Sequence, residues 1–261
     1  MYYRNLERAR EYIERIFSEV GYKFNHDVYQ VRGKLYRNVI VEKKGRVHPQ
    51  QILLIGAHYD TAPGTPGADD NASGIASLLE IARLLSPLEP PMTIRLVAFT
   101  LEEPPHFHSR FMGSVVHAKK SQKRNDNIVG MISLEMVGYF DDRENSQAYP
   151  LPLMGRFYPN QGNFIAVAGN FRSRHLVRRV TDRLTQESDI QVESTALPFV
   201  PGVGLSDNWS FWQQGYAAVM ITDTSFFRNP HYHLPSDLPD TLDYQRMSAL
   251  VSGLAKVLLR F

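Results

Sequence analysis

Three uninterrupted apolar runs, QILLIGA (51–57), TIRLVAFT (93–100) and VGMISL (129–134), each stop at a polar ligand-type residue: His58, the Glu102-Glu103 pair and Glu135. A strand that is apolar without alternation must be covered on both faces. That requirement points to a mostly parallel sheet sandwiched between helices rather than to an antiparallel sheet with one wet face. The carboxyl ends of such strands share one edge, and open α/β sheets build their sites there. Asp70 and His233, in loops that follow apolar runs, bring the set to five. Two imidazoles and three carboxylates suit zinc and exceed what one tetrahedral ion takes, which reads as a two-metal hydrolytic site.

Bulk properties remove several other classes. The chain has 261 residues, enough for one large α/β domain. Its formal charge is +2 with the histidines neutral, and the basic residues are scattered. The densest group, Lys119, Lys120, Lys123 and Arg124, reads as part of a loop. A nucleic-acid partner would need a basic patch across a whole face, so none is expected. No cysteine is present, which excludes disulfides, thiolate zinc sites and cysteine nucleophiles. The N-terminal MYYRNLERAREYIERIF is charged and amphipathic, unlike a secretory signal. No stretch approaches the roughly 20 apolar residues of a membrane span. The expected setting is therefore cytoplasmic, with no membrane partner.

Periodicity then divides the chain. Residues 5–19 place Leu6, Ala9, Tyr12, Ile13, Ile16 and Phe17 on one helical face, and Gly21 closes that helix. Segments 27–32 and 37–43 alternate in character around Gly33, as a hairpin does. The loop TAPGTPGA leads into a helix ending near Leu85. Residues 141–162 are rich in Pro and Tyr without a period, and loops of that length in compact domains are usually functional. A strand (163–168), a charged helix (about 173–187), a strand (216–222) and a helix from about 243 complete the order. No repeat or linker interrupts it. The expectation is a single α/β domain, residues 1–261, with a central, mostly parallel mixed sheet, an antiparallel edge and helices on both faces.

Each polar cluster has its own chemistry. In His58-Tyr59-Asp60, the imidazole can bind metal while Asp60 fixes its tautomer, as zinc-bound histidines require. Asp69-Asp70-Asn71 opens a helix, where one cap residue is ordinary but three are not. One carboxylate there could bridge two ions, and spacing alone leaves Asp69 and Asp70 open. Glu102 and Glu103 are adjacent, so on an extended strand they point to opposite sides. One can ligate while the other acts as general base. Glu135 can serve as a ligand or as an ion-pair partner. Of His231 and His233, at least one can reach a metal, and Pro235 and Asp237 would hold their loop.

Taken in order, HYD (58–60), GADDNASG (67–74), FTLEEPP (99–105) with Gly113-Ser114, SLEMVGYF (133–140), LSDNWSFW (205–212) and ITDTSFFRNPHYHLPSDLPDTLDY (221–244) resemble the motifs of the co-catalytic dizinc aminopeptidases. Their superfamily also holds glutamate carboxypeptidases and glutaminyl cyclases. The resemblance covers residues 56–244 and implies a zinc-exopeptidase fold of the phosphorylase/hydrolase-like type with two zinc ions. It implies His58 and Glu135 at one ion, Glu103 and His233 at the other, and Asp70 between them. Glu102 becomes the general base, Asp60 the partner of His58, and the Asp70–Asn71 peptide bond is expected to be cis.

The implied substrate is a peptide or aminoacyl amide cleaved after its N-terminal residue. Met136 and Tyr232 flank ligands and are expected to wall an apolar side-chain pocket, with Asp207 also on the substrate side. Three departures from the pattern stand out. Glu135 replaces a frequent aspartate. Ser206-Asp207-Asn208 replaces Ser-Asp-His. Pro201-Gly202-Val203-Gly204 lacks the tyrosine that some members place before that loop. The runner-up readings are a one-zinc glutaminyl-peptide cyclotransferase and a non-catalytic binding module on the same fold.

Overall fold

A computed structural model describes residues 2–197 and 199–261. In chain order it contains α1 (Tyr3–Glu19), β1 (Asn25–Val31), β2 (Lys34–Lys43), β3 (His48–His58), α2 (Gly74–Leu85), β4 (Met92–Phe99) and α3 (Gly113–Arg124). These are followed by β5 (Asn127–Glu135), β6 (Phe164–Gly169), α4 (Arg174–Glu187), β7 (Gln191–Thr195), α5 (Asn208–Trp212), β8 (Ala218–Thr222) and α6 (Tyr244–Leu259). The eight strands form one sheet in the order β1-β2-β4-β3-β5-β8-β6-β7.

The three apolar runs become β3, β4 and β5, which pair in parallel at the middle of the sheet, with β8 parallel beside β5. Parallel pairing brings the carboxyl ends of all four to one edge. The β1–β2 hairpin supplies the antiparallel edge. On the opposite side β6 runs antiparallel to β8 and carries β7 parallel to itself.

Alternate residues of each strand feed two cores. Leu53, Ile55, Ile94, Leu96, Ile132 and Ile165 pack under α1, α2, α4 and α6. Leu54, Val97, Phe99 and Met131 pack under Ala118 of α3 and Phe211 of α5. Helices therefore cover both faces, and the molecule is a single α/β domain.

Three expectations need correction. Lys119, Lys120, Lys123 and Arg124 lie in α3 rather than in a loop. That helix buries only Val115, Ala118, Gly113 and small polar residues beside His117, so its apolar stripe is thin. The strand β7 and the short helix α5 are absent from the sequence expectation. QVEST lies at a sheet edge with one apolar residue and no fully buried one. Tyr12 of α1 is exposed, while Leu6, Ile13 and Phe17 carry that helix's buried face.

Candidate metal centre

Strand register builds the inner half of the site. β3 pairs with β5 so that Gly56 lies opposite Ser133, and two residues further His58 and Glu135 end their strands side by side on the same face. The His58 Nε2 lies 3.3 Å from Glu135 Oε2 and 3.4 Å from Asp70 Oδ1. Its Nδ1 is 3.0 Å from the main-chain carbonyl of Asp60. A carbonyl only accepts, so Nδ1 carries a proton and Nε2 is the ring nitrogen that faces the centre.

Asp70 reaches the same point from the turn Ala68–Ser73, which precedes α2 and contains a cis Asp70–Asn71 bond. Asn71 pins that turn to the end of β5: its Nδ2 donates to the Leu134 carbonyl, and its Oδ1 accepts from the Gly74 and Met136 N–H groups. A Cβ at Gly74 would meet Asn71 Oδ1 at 2.3 Å and the Leu134 carbonyl at 2.8 Å, so only glycine lets the turn press this close.

The outer half is assembled from loops. His233 Nε2 lies 3.0 Å from Asp70 Oδ2 and 3.3 Å from Glu103 Oε2. The two oxygens of Asp70 thus face different histidines. His233 is one-third exposed at 32 %, whereas His58 is fully buried. Asp237, on the His233 loop, accepts the N–H groups of both Asp69 and Asp70 at 2.9 and 3.1 Å. Asn229 of the same segment donates to Asp69 Oδ2. One loop therefore supplies a donor and also clamps the turn that carries Asp70.

Glu102 and Glu103 sit in the turn after β4 rather than on the strand itself, and their divergence comes from that turn. Asp60 holds it: its two carboxylate oxygens accept the Glu102 and Glu103 N–H groups at 3.0 Å each. The Asp60 side chain is 3.7 Å from His58 Nδ1, so the tautomer-fixing contact expected of that carboxylate is made by its own main-chain oxygen. Glu102 points to the inner half, with Oε2 3.9 Å from His58 Nε2, and accepts no hydrogen bond among the described residues.

The donors divide into two sets, each of which could hold a metal ion such as zinc. His58, Asp70 and Glu135 form one group within 4.8 Å of one another, and Asp70, Glu103 and His233 form another. The closest donor pairs, at 3.0 to 3.4 Å, match the edge of about 3.3 Å expected for a tetrahedron with bonds of about 2.0 Å. Glu103 Oε1 is buried without a partner.

The electrostatics point the same way. Burial, with Glu135 and other carboxylates nearby, pushes Glu102 well above the usual range. Burial likewise raises Glu135 despite the opposing effect of His58. Burial opposes charge on His58, but Glu135 and Glu102 outweigh it and raise that ring well above its ordinary value. Burial also works against ionised Asp70, yet hydrogen bonds from His233 and His58 hold it at about 2. Hydrogen bonds to Asp70 and Glu103 raise His233 to about 10. These groups together carry more negative charge than burial tolerates, and added cations would offset it.

Beside Glu135 opens a cleft lined by Tyr232, Phe226 and Met220 among others and walled by residues 147–150, 154 and 158 of the long loop. The Tyr232 ring stacks on His233 at 3.8 Å. Two of the expected pocket residues do not line the cleft. Met136 is fully buried, with its N–H held by Asn71. Asp207 is also fully enclosed. Both its oxygens lack partners, and burial raises it to about 7 beside the other carboxylates. His231 turns aside, with Nδ1 against Ser236 Oγ.

Sequence reasoning gives Ser206 no role, yet its hydroxyl donates to Glu135 Oε2 at 2.7 Å. Its place in LSDN was the available signal.

A family model described as "Peptidase family M28" matches residues 38–258. The uncharacterized protein YfbL of Escherichia coli is 43% identical over 263 residues, covering 97% of this chain and 80% of its own. Among solved structures, a zinc aminopeptidase from Bacillus subtilis superposes with a TM-score of 0.66 at 22% identity. That match covers 88% of this chain and 51% of the other, so the present chain spans about half of that enzyme. A glutaminyl cyclase from Fimbriiglobus ruber gives 0.73 at 19% identity, over 97% and 86%. At these identities the likeness is one of fold.

Proposed function

Because the chain belongs to peptidase family M28, we propose that it is a zinc-dependent aminopeptidase that holds two ions and releases N-terminal residues from peptides. The observation that carries this reading is the division of Asp70 between two complete donor sets, Oδ1 toward His58 and Oδ2 toward His233. A one-zinc cyclisation would leave one of those sets idle.

His58, Glu135 and Asp70 would hold one ion; Asp70, Glu103 and His233 would hold the other. When bound, such ions polarise a carbonyl and lower the pKa of a water toward about 7. Glu102 does the proton work. Its carboxylate accepts no hydrogen bond among the described residues and faces the inner set, which leaves it available as a base toward a water there. It takes that water's proton and passes it to the leaving amine. Asp60 keeps Glu102 in place through its backbone N–H. Carboxylates of the centre also suit the free α-amine, which would restrict cleavage to the first residue. The apolar cleft beside Glu135 then receives that residue's side chain.

Hydrolysis of aminoacyl anilides by the zinc-loaded protein tests the proposal, with Glu102→Gln as the comparison. The proposal expects release of the first residue by the wild type and its near-abolition in the variant at unchanged zinc content. Substantial activity in Glu102→Gln would contradict it.

A further inference from the structure

The cleft is apolar along its walls, but its floor runs between two carboxylates. Glu135 of β5 pairs with Thr222 of β8, Thr222 with Ala166 of β6, and Ala166 with Glu193 of β7. Partners in register share a face, so these four side chains form one row across the sheet. Three strand steps place Glu193 about 14 Å from Glu135 along that row. Between them lie only a threonine and an alanine, with Ala168 next along β6, and all of them line the cleft. Small side chains here leave a trough instead of a packed surface.

The far end of the trough has the character of a cation site. Glu193 is half-buried, and its one hydrogen bond is from the Gln191 side chain at 3.2 Å. No cation pairs with it among the described residues. Tyr149 and Tyr158 line the same end, with ring centroids 5.8 Å apart. Thr195 Oγ1, two residues along β7, is buried without a partner. Arg228 does not neutralise this end. It stacks on the Phe164 ring, its Nε donates to Gln147, and one Nη donates to the Phe164 carbonyl. A carboxylate beside two aromatic faces, reached through an apolar trough, suits a long aliphatic stem with a charged tip.

We propose that Glu193 reads the N-terminal side chain and that the preferred substrates begin with lysine or arginine. The inference rests on the aminopeptidase reading and sharpens its apolar pocket. Leucine or phenylalanine fills the near part of the trough and stops short of Glu193. Lysine or arginine lays its methylenes over Ala166 and places its cation against the carboxylate.

The decisive comparison is arginine or lysine against norleucine, which keeps the stem and lacks the charge. Zinc-loaded wild type should hydrolyse the arginyl or lysyl anilide with kcat/KM about tenfold above the norleucyl anilide, the scale of a charge-assisted contact at a half-exposed group. In Glu193→Gln the ratio should fall to about one. Calorimetric titration with free L-arginine and L-norleucine gives the same comparison without turnover. If titration shows the tenfold difference and Glu193→Gln removes it while no anilide is cleaved, the aminopeptidase reading fails and the cation site stands. A wild-type ratio at or below one, a ratio unchanged in Glu193→Gln, or no binding of L-arginine would overturn the proposal.

Discussion

The two halves of the metal centre share Asp70 but are held together by different means. The inner half takes His58 and Glu135 from the last residues of adjacent parallel strands, and both are buried. The outer half takes Glu103 from a turn and His233 from a Pro-punctuated loop, and His233 is one-third exposed. Sheet register sets the first half, trimmed by the Ser206 hydroxyl on Glu135 and the Asp60 carbonyl on the His58 ring. The second depends on side chains that grip backbone N–H groups: Asp60 on the Glu102–Glu103 turn, and Asp237 on the Asp69–Asp70 turn. A rigid half and a clamped half should respond differently to substitution.

The largest effect expected is at Glu102, which faces the inner half and is proposed to act as base rather than ligand. Glu102→Gln should lower kcat by about a hundred- to ten-thousand-fold with both ions retained. Metal content measured beside turnover separates this from loss of a ligand.

Asp237→Asn tests the clamp. The amide keeps the size but replaces one acceptor oxygen with a donor facing an N–H. Zinc affinity of the outer set should weaken about 10- to 100-fold, as when a ligand's supporting hydrogen bonds are lost. Competition with a chelator should show the outer ion loosened more than the inner one, because Asp237 sits on the His233 loop while Asp70 serves both sets. Equal weakening of both would erase the distinction between the halves.

His58→Ala and His233→Ala sharpen the comparison through stability. Removing the buried ring strips Glu135 and Asp70 of an enclosed partner, whereas the exposed ring can be replaced by water. The His58 variant should melt about 4–8 °C below the His233 variant, the shift expected for about 2 kcal/mol in a domain of this size.

The smallest effect lies far from the metal. His117 Nδ1 sits 2.6 Å from Asp27 Oδ2, fully buried in α3, and Lys120 Nζ lies 3.1 Å from the other oxygen. Burial lowers the His117 pKa, and its hydrogen bond to Asp27 does not restore it. Below about pH 6.5 the unfolded chain therefore takes up a proton that the folded ring resists, and stability falls as pH falls. Burial works against ionised Asp27, but His117 and Lys120 outweigh it and hold that carboxyl well below its usual range. Its contribution is present above about pH 3.9 and is lost only in stronger acid. Replacing both Asp27 and His117 with leucine should reduce the drop in melting temperature between about pH 7 and about pH 5 by about 2–4 °C. An unchanged drop would assign that pH dependence to the metal centre instead.

What the sequence reveals of this molecule follows the same division. Uninterrupted apolar runs announce β3, β4 and β5, and their ends announce His58 and Glu135, because burial on both faces leaves a strong compositional mark. The helix α3 is hidden because its second half, KKSQKR, is also what a loop looks like, and its buried face holds His117 and serines. The edge strand β7 is too short and polar to register. Contacts to backbone groups leave no mark either. Asp60 next to His58 suggests a carboxylate–imidazole contact, while its oxygens serve two N–H groups 42 and 43 residues further on. Sequence places Met136 at the pocket because it neighbours Glu135, and Asp207 because of the family resemblance around Ser206-Asp207-Asn208. In the fold, chain direction turns them inward, and the cleft is walled by the aperiodic 141–162 loop. Glu193 becomes visible only once β5, β8, β6 and β7 are aligned.

Titrating metal-stripped protein with zinc while following release of the first residue from an aminoacyl anilide tests the central claim most directly. Two donor sets joined through Asp70 predict that activity rises until about two equivalents are bound and then levels off. A plateau at one equivalent, or no release at any zinc level, would contradict the two-ion aminopeptidase.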